Sequence, residues 1–283
     1  MISTVELLRQ AQAGGYAVPA FNVFDELSMR SVVAAAEAKR SPAIIQISTR
    51  TAVSIGVEWV SQIFRHLAGG AGVPLALHLD HCPDRAVINQ VVAAGWSSVL
   101  FDASQLDFAQ AAAETAEVVQ LAHAGGVEVE SEIENILGVE DGVGSDTVAH
   151  AYTPQAIVAA ALEAGVDFIA PQLGTAHGEY RSRPRLQPQR VREFAALASL
   201  PVVLHGGSGL TEAEFRQFIE AGVAKINIST AVKQGYLKSA LAHLERVAAE
   251  NRWEPAPLFR AEEAGCRDAI GHLFDVFGSA GRA

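Results

Sequence analysis

The chain has 283 residues, 49% of them hydrophobic and 19% charged, with a formal net charge of -11. That composition is globular and excludes disorder, collagen-like repeats and coiled coil. An acidic chain gains nothing from the counterion release that drives nucleic-acid binding and is repelled by anionic membranes, so neither partner is expected, and any bound phosphate must be held by local groups.

The N-terminal stretch carries Glu6 and Arg9 within its apolar part and has no signal-peptide core. No apolar run approaches the roughly 20 residues that span a bilayer. Cys82 and Cys266 give no disulfide framework. A cytoplasmic location is the expectation. Ser3 with Glu6 reads as a capping box that opens a first helix. Then apolar runs alternate with amphipathic ones. The first run is 16–23 (YAVPAFNV), followed by helical spacing over 26–40; the second is 43–48 (AIIQIS), followed by 57–67. The third is 74–80 (PLALHLD) and the fourth 97–102 (SSVLFD), followed by a helix over 108–123. The fifth is 127–132 (VEVESE), the sixth 167–171 (DFIAP) and the seventh 201–205 (PVVLH). A helix over 212–221, capped by Thr211 with Glu214, leads to the eighth run, 224–229 (AKINIS), and the tail predicts one more helix over 261–277. Short apolar runs bounded by Gly, Pro or polar residues read as buried strands. Eight strand–helix units predict a parallel sheet with right-handed crossovers, closed into an α/β (β/α)8 TIM barrel with an additional C-terminal helix. An open doubly wound sheet fits less well, since no G-x-G-x-x-G follows the first strand. No stretch reads as a linker, so residues 1–283 are expected to form a single catalytic domain.

Barrels of this kind carry their sites at the C-terminal ends of the strands. Here the third strand ends in Asp80-His81, the fourth in Asp102, and the fifth in Glu130 and Glu132. The loop after the sixth carries His177, the seventh ends in His205, and the eighth in Asn227, Ser229 and Thr230. Six consecutive strands with polar or ionisable ends are not what a purely structural barrel requires. His81, His177 and His205 should share one rim, and three imidazoles with an open fourth position suit catalytic zinc, although cobalt or iron fit the same ligands. Alternatively, each histidine is a hydrogen-bonded rim residue. His78 shares a strand face with Asp80 and is placed to support the site. Cys82 follows His81, so strand alternation points it the other way, as a small packed residue. The glycine-rich His205-Gly206-Gly207-Ser208-Gly209 and the helix opening at Asn227-Ile228-Ser229-Thr230 follow the two strands whose loops often bind phosphate. Residues 133–152 show no periodicity and hold Glu140 and Asp141 between Gly138 and Gly142, either as an acid or base that arrives on loop closure or as a solvated acidic loop.

Several of these motifs resemble the class II, metal-dependent ketose-bisphosphate aldolases, the fructose- and tagatose-bisphosphate type. The matching stretches are Leu77-His78-Leu79-Asp80-His81, Val129-Glu130-Ser131-Glu132 running to Gly138-Val139-Glu140-Asp141, Gly174-Thr175-Ala176-His177-Gly178, Leu204 to Gly209, Lys225-Ile226-Asn227, and Phe277 to Gly281. The resemblance implies that His81, His177 and His205 hold zinc, with Asp102 and Glu132 at an alternative metal position. It implies that Asp80 handles the proton of the C4 hydroxyl and that Glu140, on a mobile loop, handles the proton at the triose carbon. Gly178, Gly206, Gly207, Ser208, Ser229 and Thr230 match the phosphate cradle, Asn227 the contact to the triose, and a monovalent cation (Na+ or K+) is expected near that phosphate. Asn22 and Ser48 stand as further substrate-facing candidates. A homodimer or homotetramer is also implied. The implied reaction is reversible cleavage of a ketose 1,6-bisphosphate into glycerone phosphate and glyceraldehyde 3-phosphate. Retro-aldol cleavage leaves a carbanion beside a carbonyl, and zinc on the ketose oxygens would stabilise the enediolate. Lys225 lies within the last strand, so a Schiff-base mechanism is the less supported route.

Departures bear on the substrate. Glu134 stands where many members have glycine, Ala103 where D-G-S is usual, and Cys82 in place of a common glycine. Ser229 replaces an aspartate frequent in fructose-bisphosphate enzymes, and Lys233 stands where tagatose-type enzymes carry lysine. Arg50, in Ser48-Thr49-Arg50, either meets an anionic group at the far end of the substrate or forms a surface ion pair. The alternatives are therefore an aldolase for another phosphorylated ketose or keto acid, such as 6-phospho-5-dehydro-2-deoxy-gluconate, a metal-dependent hydrolase on the same barrel, and a sugar-phosphate binder without turnover.

Overall fold

The computed structural model describes residues 2–140, 143–145, 152–178 and 185–283, with 139–140 and 143–145 described by backbone alone. In chain order the strands are β1 (Val18–Asn22), β2 (Ala43–Ser48), β3 (Leu75–Cys82), β4 (Ser98–Asp102), β5 (Glu128–Glu132), β6 (Gly138–Glu140), β7 (Val143–Ser145), β8 (Phe168–Ile169), β9 (Val202–Leu204) and β10 (Val223–Ile228). All but β6 and β7 form a closed parallel barrel in the order β1-β10-β9-β8-β5-β4-β3-β2. Pairing of Val18 with Lys225 and Ala20 with Asn227 closes the ring. The α/β (β/α)8 expectation is borne out.

The helices are α1 (Thr4–Gly14), α2 (Glu26–Lys39), α3 (Thr49–Ile55), α4 (Val57–Gly70), α5 (Arg85–Ala93), α6 (Phe108–Ala124), α7 (Pro154–Ala164), α8 (Pro188–Leu197), α9 (Glu212–Ala221), α10 (Thr230–Glu250), α11 (Pro255–Ile270) and α12 (Leu273–Val276). Two cores arise from strands buried on both faces. Outward strand residues such as Phe21, Ile45, Leu77, Val99 and Val129 pack against the helices. Inside the barrel, Val18, Ala20, Ile44, Ala76, Phe168 and Val203 pack at the N-terminal end, where α1 inserts Val5, Leu8 and Ala11 as a plug. Burying one such large aliphatic or aromatic side chain contributes about 1.5–3 kcal/mol. None of the helices among the described residues is long and apolar enough to cross a membrane.

Three expectations are corrected. The capping box at α1 is only half formed: Ser3 Oγ accepts from Glu6 N–H at 3.0 Å, but the Glu6 carboxylate accepts from Gln10 Nε2 instead. At α9 the box is complete, Thr211 and Glu214 each satisfying the other's backbone N–H. The tail is not one helix over 261–277. Pro255, at the first turn where its missing N–H costs nothing, starts α11 earlier, and α12 comes after it as a separate turn. Residues 133–152 are not wholly irregular, because β6 and β7 pair antiparallel with Glu140 opposite Val143. Strands of three residues containing glycine leave no periodicity to read.

Candidate metal centre and active site

The site is built on the inward residues of the upper barrel. Alternation puts His78 and Asp80 of β3 inside, as it does Asn22, Gln46, Asp102, Glu130, Glu132 and Asn227 on their strands. The same alternation would send His81 outward. It does not, because His81 has φ 44°, in the left-handed region that non-glycine residues rarely adopt. The register of β3 against β4 shifts between Leu79 and Cys82. Asp80 and His81 therefore both face the cavity, with His81 Nε2 4.0 Å from Asp80 Oδ1. Cys82 packs in the outer core, as expected, with its Sγ donating to the Asp84 carbonyl.

His81, His177 and His205 converge, each buried, with ligand atoms within 4.8 Å of one another. His81 Nε2 lies 3.0 Å from His205 Nδ1. Two imidazole nitrogens bound to one tetrahedral ion at about 2.0–2.1 Å would stand about 3.3 Å apart, so the donor set fits a shared cation. His81, Asp102 and Glu132 form a second group that can hold a metal, through the other ring nitrogen. His81 Nδ1 is 3.4 Å from Asp102 Oδ2 and 3.3 Å from Glu132 Oε2. Among the described residues, Glu132 Oε2 is buried with no hydrogen-bond partner, an acceptor of the kind a metal satisfies. Ser104 supports Asp102: its Oγ and backbone N–H both donate to Asp102 Oδ1, at 2.6 and 3.1 Å.

The electrostatics favour a cation at this place. Burial works against a charged His81, but the carboxylates of Asp80, Glu132 and Asp102 outweigh it and hold the imidazole well above the usual histidine range. Burial, and then the charge on His81, push His205 well below it. Burial and the neighbouring Asp102 raise Glu132 well above the usual carboxylate range. Asp102 is lowered: burial opposes this, but the His81 and Ser104 hydrogen bonds outweigh it.

Asp80 is 1% exposed and held by two amides. Asn22 Nδ2 donates to Oδ2 at 2.7 Å and Asn227 Nδ2 to Oδ1 at 3.4 Å, while Gln46 Nε2 donates to Asn22 Oδ1 at 2.9 Å. Asn22 and Asn227, expected to face substrate, thus also orient the Asp80 carboxylate.

Below the histidines lies a polar column that the sequence motifs reveal only in part. Glu130 Oε1 accepts from His205 Nε2 at 2.8 Å, and Glu130 Oε2 from Lys225 Nζ at 2.6 Å, all three side chains wholly buried. A carboxylate on the far nitrogen fixes an imidazole's tautomer and aims its other nitrogen, here Nδ1. His78 Nδ1 meets Ser98 Oγ at 2.8 Å, and its Nε2 lies 3.4 Å from Glu130 Oε2, which is the expected supporting role. Lys225 Nζ is engaged by the buried Glu130 carboxylate, an arrangement that weighs against Schiff-base chemistry at this lysine. The signal for the column is present in E-V-E-S-E of β5, a carboxylate every second residue on an inward face.

Glycines admit the segment that carries His177. Gly206 has φ 65°, and a Cβ there would fall 2.4 Å from the Ala176 carbonyl; at Gly138 it would fall 2.6 Å from that of His177. His177 N–H donates to the Leu137 carbonyl at 2.7 Å. Gly178, Gly206, Gly207 and Ser208 sit directly after the two histidines they neighbour in sequence. Ser229 precedes α10, and its Oγ is buried without a hydrogen-bond partner among the described residues. Thr230 begins that helix, where free backbone N–H groups favour an anion. Lys233 lines a cavity of about 340 Å³ with Asn22, Thr51 and Tyr236. Ser48 caps α3 through its Oγ. Arg50, exposed on α3, forms no ion pair among the described residues. The backbone of Glu140 ends β6, but its side chain and Asp141 lie outside the described residues.

A closed parallel barrel thus carries three imidazoles and a buried carboxylate at its C-terminal rim, a donor set that can hold a metal ion. The model of the class II fructose-bisphosphate aldolase family matches residues 2–282. A protein of Coccidioides immitis assigned as a fructose-1,6-bisphosphate aldolase superposes with a TM-score of 0.90 at 27% identity, covering 99% of this chain and 97% of that one. The YdjI aldolase of Escherichia coli K12 superposes at 0.82, also 27% identical, covering 100% and 99%. A fructose-bisphosphate aldolase of Campylobacter jejuni shares the fold at 0.84 with 24% identity, covering 100% and 97%. The chain belongs to the class II fructose-bisphosphate aldolase family, and it is an aldehyde-lyase.

Proposed function

We propose that the whole chain acts as one zinc-dependent catalytic domain that reversibly cleaves fructose or tagatose 1,6-bisphosphate into glycerone phosphate and glyceraldehyde 3-phosphate. The observation that carries this reading is the convergence of His81, His177 and His205 beside the oriented carboxylate of Asp80. Zinc held by the three imidazoles would stabilise negative charge developing on the ketose oxygens. Asp80 takes the proton from the C4 hydroxyl in cleavage and returns it to the aldehyde oxygen in condensation. Asn22 and Asn227 keep both its oxygens aimed, so its reach does not depend on a free rotamer. Glu140 moves the proton at the triose carbon. Asp102 and Glu132 fix His81 from behind or offer a second metal position.

Gly178, Gly206, Gly207, Ser208, Ser229 and Thr230 receive one phosphate, with the orphaned Ser229 hydroxyl and the start of α10 as the supporting features. A monovalent cation near that phosphate would offset its charge in an acidic protein. Lys233 and Ser48 face the rest of the substrate. Arg50, exposed beside the mouth without an ion-pair partner among the described residues, favours a second reading in which the far end carries another anionic group, a phosphate or the carboxylate of a keto acid such as 6-phospho-5-dehydro-2-deoxy-gluconate. A cytoplasmic dimer or tetramer is proposed on family membership alone, with light scattering as the check on its assembly.

The test is triose-phosphate release from fructose and tagatose 1,6-bisphosphate, with and without EDTA. Release abolished by EDTA and restored by zinc is the expected result, and the ratio of the two rates identifies the sugar. No release from either by zinc-loaded protein overturns the assignment to these two substrates.

A further inference from the structure

Glu134, the departure from the family's glycine, is 1% exposed and is paired with Arg190 of α8 at 2.7 Å. Neither residue touches the metal-binding histidines. Together they satisfy four backbone groups on two separate segments. Glu134 accepts from Tyr152 N–H at 2.9 Å and from Gln172 N–H at 3.1 Å. Arg190 donates to the Tyr152 carbonyl at 2.7 Å and to the Gln172 carbonyl at 2.5 Å. The guanidinium also stacks 5.4 Å from the Phe194 ring centroid, which fixes its plane.

The segment so held leads to His177. Gln172 passes the constraint on: its Oε1 accepts from Gly174 N–H at 2.7 Å, and its Nε2 donates to the Asn135 carbonyl at 3.5 Å. Leu173 C=O accepts from Gln187 N–H at 2.8 Å, which ties the other side of the segment to the start of α8. At the opposite end Glu134 stands two residues beyond Glu132, on the chain leaving β5. β8, the strand below His177, is only two residues long and shares a single register pair with β9. Beyond β8 the backbone meets the chain leaving β5 at Ala170, whose N–H donates to the Ser131 carbonyl at 3.0 Å, and again at His177, whose N–H donates to the Leu137 carbonyl at 2.7 Å; between these points Glu134 and Arg190 hold it at Gln172.

We propose that Glu134 and Arg190 are a positioning pair for the metal centre. They lock the residues leading to His177 against the end of β5 and so set the separation of His177 from Glu132 and His81. The inference rests on the metal-centre reading above but concerns residues outside the ligand set. A buried pair of this kind is worth little to net stability, since desolvation offsets much of its attraction, whereas its geometry is specific.

The test is metal affinity, by competition of full-length protein with a chromogenic chelator, for wild type, Glu134→Gln, Arg190→Gln and the double variant. The visible spectrum of the Co2+-loaded proteins is read alongside, with the melting temperature of each metal-free protein as a structural reference. Glutamine at 134 keeps a carbonyl acceptor for the guanidinium, which alanine would not; Arg190→Lys, which keeps charge and loses the fork, is the second route should Arg190→Gln, which leaves the buried Glu134 carboxylate without its cation, fail to fold. The expected result is a roughly 10–100-fold loss of metal affinity and an altered cobalt spectrum in each single variant, with the double variant losing less than the product of the two. Wild-type affinity and spectrum in all variants overturn the pair while leaving the centre intact. Failure of wild type to take up metal overturns the centre itself, and the pair with it.

Discussion

The two ends of the barrel interior are made from the same strands and carry opposite chemistry. At the N-terminal end Val18, Ile44, Ala76 and Val203 close on Leu8 of α1, a dry plug. Two to four residues further along those strands the inward positions become Asn22, Gln46, Asp80 and His205, a buried polar cluster. Period-two alternation fixes which residues face inward but is silent on their kind, so one geometry builds both an apolar plug and a polar mouth. Between them Glu130 and Lys225 mark the boundary, a charged pair with no exposed surface.

That contrast can be broken at either end. The largest effect is expected at the mouth: Asp80→Asn should lower kcat by about 10²–10⁴-fold, as loss of a general acid–base does, with metal content and melting temperature close to wild type. Steady-state kinetics beside metal analysis checks it, and a variant of normal kcat removes Asp80 from the chemistry. At the plug, Leu8→Ala should cost about 2–5 kcal/mol of stability, read by denaturant unfolding, while chelator competition shows the wild-type metal affinity. Were metal affinity to fall with it, the two ends would not be separable. At the boundary, Glu130→Gln should weaken metal binding by about 10–100-fold in chelator competition, because the amide fixes the proton on His205 Nε2 less firmly, and should also lower the melting temperature, because Lys225 is left buried without its counterion.

The barrel is legible in the sequence because its information is local. Eight short apolar runs, separated by helical spacing, leave few topologies, and strand ends name the rim. The histidines can be assembled from sequence for that reason alone. Other features escape because local patterns do not encode them. Nothing in Asp80-His81 announces a left-handed residue, and alternation argues for opposite faces. Lys225 reads as a conceivable nucleophile because its buried partner Glu130, 95 residues away, is visible only when β5 and β10 face each other across the barrel. Glu134 is a departure without a role until the fold brings Arg190 to it. Glu140 is located by its motif, whereas its strand is hidden because three residues carry no period.

The left-handed turn at His81 makes neighbours of two functions that a regular strand would hold on opposite faces. A carboxylate and an imidazole ride on consecutive residues, so their Cα atoms are tied covalently, while Asn22 and Asn227 on one side and Asp102 and Glu132 on the other aim the two side chains. The strained backbone at one residue thus acts as a form of calibration: it starts a carboxylate and an imidazole from the same short stretch of chain and turns both toward one cavity.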